Sequence, residues 1–262
     1  KCIKKINFIR FYRKDITNMS EMFSGCSSLE NINFFSFNTD NVIDMNAMFL
    51  GCSSLKELNL SKFNTNKVTN MSHMFSGCSS LEKLNLSNFN TNNITNMYSM
   101  FHQCSSLKEL NVSSFNTNNV INMGRMFYNC YSLKELNLSN FNTNNITNMM
   151  MMFYRCFSLN VLNISNFNIN QAKYIINMFF HCSPSKIICS YIFKMLIRDI
   201  YPNLYSVCYL ANKQNKAPCQ WARMASCAVF LGGGRLRRNK GDCCLTRPAF
   251  ASHGQLGIRL RR

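Results

Sequence analysis

Cysteine recurs with a regularity that invites a chemical reading. Cys26, Cys52, Cys78, Cys104, Cys130, Cys156 and Cys182 stand 26 residues apart without slippage. A zinc site needs ligands clustered at C-x2-4-C spacing, and this column has none. Disulfides between successive units face an odd count and two equivalent neighbours for every interior thiol. The expected state is a row of buried free thiols packing as small apolar groups. Methionine follows the same stride at Met22, Met48, Met74, Met100, Met126, Met152 and Met178, beside Phe23 through Phe179. A thioether track beside phenylalanine reads as core rather than as a metal path. The four histidines have no Cys, Asp or Glu partner at ligand spacing and are expected as solvated surface. With acidic residues scattered as well, no catalytic constellation is visible. Neither a cofactor, nor a metal, nor a small-molecule substrate is expected.

Asparagine offers the best binding candidate. Asn33, Asn59, Asn85, Asn111, Asn137 and Asn163 each lie between two apolar residues, so they point outward from a strand. Ser61, Ser87, Ser113, Ser139 and Ser165 follow two positions on and face the same way. Stacked coils would turn them into two parallel polar columns. Three roles are open: an amide ladder that stabilises stacking, a ligand face for glycan or extended protein, and a hydroxyl-amide array that orders water. Beside them run Glu30, Lys56, Glu82, Lys108, Lys134 and, next to these, Asn31, Glu57, Lys83, Glu109, Glu135. Signs mostly alternate from unit to unit, which suits cross-strand pairing.

These columns require elements that repeat. The unit Cys78 to Gln103 carries Leu84-Asn85-Leu86-Ser87, an alternation with the period of a half-buried strand. Its second half places Ile94, Met97, Met100, Phe101 and Cys104 at steps of 3, 3, 1 and 3, the pattern of one helical face. Asn90-Thr91-Asn92-Asn93 between them has turn and N-cap composition. Each unit therefore reads as strand, turn and short helix. A single unit buries its apolar side only against its neighbours, so the array predicts a solenoid.

The periphery differs from the array. Ile3, Ile6, Asn7, Phe8, Phe11 and Ile16 fall 26 before Leu29, Ile32, Asn33, Phe34, Phe37 and Val42, so residues 1–17 read as a degenerate partial repeat, with a natural N-terminal cap expected to be either missing or upstream. Residues 18–182 form the array. In residues 183–210 the pattern decays: Ile188 and Phe193 keep the stride while Ser185 and Ser190 break it, as expected of a capping element. Residues 211–262 lose the period and read as a basic tail, either disordered or translated from sequence not coding in this frame. The formal charge of +18 follows this division. Residues 18–182 carry nine basic and eight acidic side chains, whereas residues 211–262 carry eleven and one. A nearly neutral body gives no basic stripe for nucleic acid. Only the tail could supply such binding. No stretch of about 18 apolar residues occurs, so no membrane span is expected, and no signal-peptide pattern is seen.

Leu81-x-x-Leu84-x-Leu86-x-x-Phe89 is similar to the leucine-rich repeat pattern, with Phe where Asn or Cys is usual. The longer string L-N-L-S-N-F-N-T-N-N-I-T-N-M-x-x-M-F-x-x-C-S-S-L resembles the BspA family of leucine-rich repeat surface proteins. Asn stands here where that family usually has Asp, as at Asn85, Asn90 and Asn96. The resemblance covers residues 1–190. It implies a right-handed α/β leucine-rich-repeat solenoid with one short parallel strand and one short helix per repeat. It further implies a non-catalytic, surface-displayed or secreted module that adheres to host or cell-surface macromolecules, protein or glycan. The alternative is an intracellular scaffold of the same fold for protein–protein interaction.

Overall fold

The computed structural model describes residues 3–9, 11 and 13–211. The expectation for residues 211–262 falls, apart from Ala211, outside the described residues. The chain winds as a parallel β-solenoid of about seven turns. Its strands are β1 (Lys5–Asn7), β2 (Asn31–Asn33), β3 (Glu57–Leu58), β4 (Lys83–Leu84), β5 (Glu135–Asn137), β6 (Val161–Ile164), β7 (Lys186–Cys189) and β8 (Cys208–Leu210). β1 pairs with β2, β3 with β4, and β5 to β8 run side by side, all parallel. The register equals the repeat: Ile6 lies on Ile32, Leu58 on Leu84 and Leu136 on Leu162. Strand alternation sends these residues inward and the Asn and charged columns outward.

The helical half of the expectation is corrected. Among the described residues the only helices are α1 (Tyr191–Ile200) and α2 (Pro202–Tyr205), both beyond the array. Where a helix was predicted, each coil makes consecutive tight turns. Alternate amides reach the next coil: Met97 N–H donates to Asn122 O at 2.9 Å, Ser99 to Gly124 O at 2.9 Å, Phe101 to Met126 O at 3.0 Å and Gln103 to Tyr128 O at 2.7 Å. Intervening amides close turns on the third residue back, as His102 does on Ser99 O at 3.1 Å. Two residues per coil, four apart, take left-handed backbone, for example Ser99 at φ 56° and Gln103 at φ 58°. A continuous α-helix tolerates neither.

The physical reason lies in spacing. Strands stack about 4.8 Å apart, whereas a helix with its side chains is about 10 Å wide. One helix per coil would splay the far side of the array. Turns that bond from coil to coil keep both sides on the same ladder. Parallel bridges accordingly join Asn18, Asp44, Asn70, Asn96, Asn122, Asn148 and Tyr174, one residue per coil. The turns still deliver residues at i, i+3, i+4 and i+7 to the interior, which is why the pattern imitates a helix.

Every inward column lies on itself. Phe49, Phe75, Phe101, Phe127, Phe153 and Phe179 stack face to face at 5.4–5.9 Å between centroids. Met97, Met100, Leu81, Leu86 and Ile94 are fully buried around them. Each such side chain contributes roughly 1.5–3 kcal/mol on burial.

At the C-terminal end the stride shortens. Leu162 pairs with Ile187 and Ile164 with Cys189, so Ile188 does not keep the inward place expected for it. Pro184 is buried two residues after Cys182, where Leu159 is buried three after Cys156, and that lost residue shifts the strand. Ser190 caps α1 by accepting from Phe193 N–H. Phe193 then packs edge-on against Phe167 and Phe179, over the end of the core. No helix among the described residues is long and apolar enough to cross a membrane.

Candidate interaction faces

The strand face displays the predicted columns. Asn33, Asn59, Asn85, Asn111 and Asn137 are exposed and Asn163 is half-buried; Ser61, Ser87 and Ser113 are exposed, Ser139 and Ser165 half-buried. The Asn side chains do not bond to one another. Each Oδ1 instead accepts the amide of the Ser two residues on, at 3.0 Å for Asn59, Asn85 and Asn111 and 3.1 Å for Asn137 and Asn163. These are Asx turns, which end each strand locally. Of the three roles open to this column, the amide ladder is not the one formed. Their Nδ2 groups make no hydrogen bond within the described residues, leaving a row of outward donors. Asn33 stands apart, because Phe35, three-quarters exposed, occupies the position of the following Ser.

The charge columns meet only in part. Lys4 bonds Glu30 at 2.8 Å and Lys108 bonds Glu82 at 3.3 Å, both across one coil step. Lys83 lies on Glu57 in register, yet no ion pair forms there. Such exposed pairs are screened by water and contribute little to stability. An open depression near this face is lined by Glu30, Ser54, Lys56 and Ser80.

An amide ladder does exist, at the corner after the strands, where sequence reasoning did not place it. Asn90 Nδ2 donates to Asn66 Oδ1 at 2.7 Å, Asn116 to Asn92 at 2.7 Å, Asn142 to Asn118 at 2.8 Å and Asn168 to Asn144 at 2.7 Å. Buried Thr65, Thr91, Thr117 and Thr143 lie beneath it. Each hydroxyl donates to the carbonyl of the Asn 25 residues on and accepts that residue's amide. The signal was present in the repeated N-T-N, read there only as turn composition.

The cysteine column is a row of free thiols, buried from Cys52 to Cys182. Each Sγ–H from Cys52 to Cys156 donates to a Phe carbonyl of the preceding coil at 3.0–3.2 Å. Burial pushes the Cys52 and Cys130 thiols up to about 12, and Cys104 well above its ordinary value. Thiols so placed are poor nucleophiles at neutral pH. Among the described residues no three His, Cys, Asp or Glu side chains gather as a metal site.

On the turn side a second array emerges. Ser24, Leu50 and Ser76 are followed in the same column by His102, Tyr128, Tyr154 and Phe180. These four rings stack: His102 on Tyr128 at 4.8 Å, Tyr128 on Tyr154 at 4.6 Å with planes 1° apart, and Tyr154 on Phe180 at 5.1 Å. Arg125 lies over Tyr128 at 5.8 Å and Arg155 over Tyr154 at 5.5 Å. The expectation of solvated histidines is corrected for His73 and His102, which are half-buried. Desolvation, aided by nearby Arg125, lowers both, and brings His102 to about 4. Reading this column down the 26-residue stride would have found the stack.

Two overlapping stretches, residues 4–110 and 78–188, match the family described as "Mycoplasma protein of unknown function, DUF285". The chain belongs to that family. No curated protein and no solved structure matches it.

Proposed function

We propose that this chain is a non-catalytic, surface-displayed adhesion module that binds host or cell-surface macromolecules, protein or glycan, through its strand face. The observation that carries this reading is the row of outward Asn Nδ2 donors with Ser beside them. Their oxygens are engaged in Asx turns, so the donors are held in place at low entropic cost. Weak contacts repeated from coil to coil add through multivalency. Membership of a repeat family and the resemblance to BspA-type repeats support the same direction.

Replacing Asn85, Asn111 and Asn137 together by Asp tests it. Asp keeps the oxygen that accepts the Ser amide and removes the donor. Binding of the labelled full chain to a panel of eukaryotic cells and immobilised glycans should fall about tenfold or more, with melting nearly unchanged. Binding that persists on every cell and glycan recognised by the parent would refute the strand-face reading.

A further inference from the structure

We propose that the turn face around Tyr128 and Tyr154 is a second binding site, which takes an acidic segment of a partner protein. This site lies on a different face from the strand-face columns and does not depend on their role.

Charge provides the first argument. The turn segments 70–79, 96–105, 122–131, 148–157 and 174–183 contain no Asp or Glu, whereas they hold Arg125 and Arg155. Glu21 and Asp44 lie on the turn segments of the first two coils, away from Tyr128 and Tyr154, and the glutamates at 30, 57, 82, 109 and 135 belong to the strand segments. A cationic strip free of carboxylates attracts a carboxylate and repels a second copy of itself.

Ring geometry narrows the partner. Because Tyr128 and Tyr154 lie face on face at 4.6 Å, their faces are covered and their edges look outward. Ring edges carry the positive rim of the quadrupole, which favours anionic oxygens. Base or sugar stacking needs a free face, and the inner rings of this stack have none. Pre-stacked tyrosines beside arginine also match the composition of protein hot spots.

Unmet hydrogen bonding is the independent observation. Asn129, only 7% exposed, has a buried Oδ1 without a partner, and Arg125 Nε is likewise buried and unpartnered. Leaving such groups unmet is unfavourable. One needs a donor and the other an acceptor. A polypeptide carrying Asp or Glu supplies both, a backbone N–H and a carboxylate, after a small rotation of either side chain.

The test is fluorescence anisotropy of the full chain with a labelled peptide of alternating Glu and Ala, its Gln counterpart and an oligouridylate of equal charge. Arg125→Gln with Arg155→Gln leaves the basic tail intact, so non-specific attraction is common to both proteins. The parent should bind the Glu peptide most tightly, and the double variant should lose at least about tenfold with unchanged melting. Tyr128→Phe, which keeps the stack, serves as a second variant and should weaken the peptide by less. Peptide binding that survives the double substitution within twofold overturns the proposal. So does an oligouridylate that binds more tightly than the peptide and is lost on the same substitutions.

Discussion

The turn side of the early coils and that of the later coils follow the same backbone with opposite chemistry. Gly25, Gly51 and Gly77 occupy one left-handed position at φ 72–75°; in the next four coils the same column holds Gln103, Asn129, Arg155 and His181, at φ 54–59°. Next to them Ser24, Leu50 and Ser76 give way to His102, Tyr128, Tyr154 and Phe180. Glycine adopts this conformation freely, while other residues are disfavoured there by about 1–2 kcal/mol. In both halves the amide of this position bonds the next coil, as Gly77 N–H does to His102 O at 2.7 Å and Gln103 N–H to Tyr128 O at 2.7 Å, so the backbone path is the same. The comparison therefore separates what builds the solenoid, common to all coils, from what is displayed on it.

The largest expected effect checks the common part. Phe75→Ala in the early half and Phe127→Ala in the later half should each cost about 3–5 kcal/mol in urea unfolding. Both rings are fully buried and stacked on two neighbours. Costs differing by more than about 2 kcal/mol would show that the halves do not share one core.

The left-handed column gives the next contrast. Gly77→Ala should lose about 1–2 kcal/mol, since its new Cβ would also stand 3.2 Å from Gly51 Cα. Gln103→Gly should instead gain about 0.5–1 kcal/mol, the relief of strain exceeding the extra freedom of the unfolded chain. Thermal melts of the two variants moving in the same direction would break the comparison.

Much of this architecture could be read in the residues. The stride located the apolar inward columns, from Leu84 and Leu86 to Phe101 and Cys104, because a fixed period leaves only one way to stack; the buried Thr91 column was missed because it reads as turn composition. What the period could not decide was the local path. Met97, Met100, Phe101 and Cys104 are inward both in a helix and in successive turns, and only inter-coil spacing discriminates between them. Asn85 was legible as outward, yet whether its amide bonds a neighbour or its own strand end depends on distances of an ångström. Ile187 replaced Ile188 inside because Pro184 drew the chain in one residue early. His102 was misplaced because its environment is made by Tyr128, 26 residues away.

A further contrast is one of pH. His102 titrates near 4 in the folded chain and near 6.5 when unfolded. The unfolded state then binds more protons between those values, so stability should decline as pH falls from about 6.5 to 4 and level off below. His102→Gln should flatten that slope. A slope unaltered by His102→Gln would place the burial of this ring in doubt.

The central claim is that coils are joined on the turn side by their backbones and not by packed helices. Scalar couplings across hydrogen bonds, measured by NMR on the deuterated full chain, test it at single amides. Gln103 N–H should couple to the carbonyl of Tyr128, and Arg125 N–H to that of Met150. Couplings from Gln103 to Ser99 and from Arg125 to Ile121, four residues back, would be those of a helix in each coil and would contradict the account.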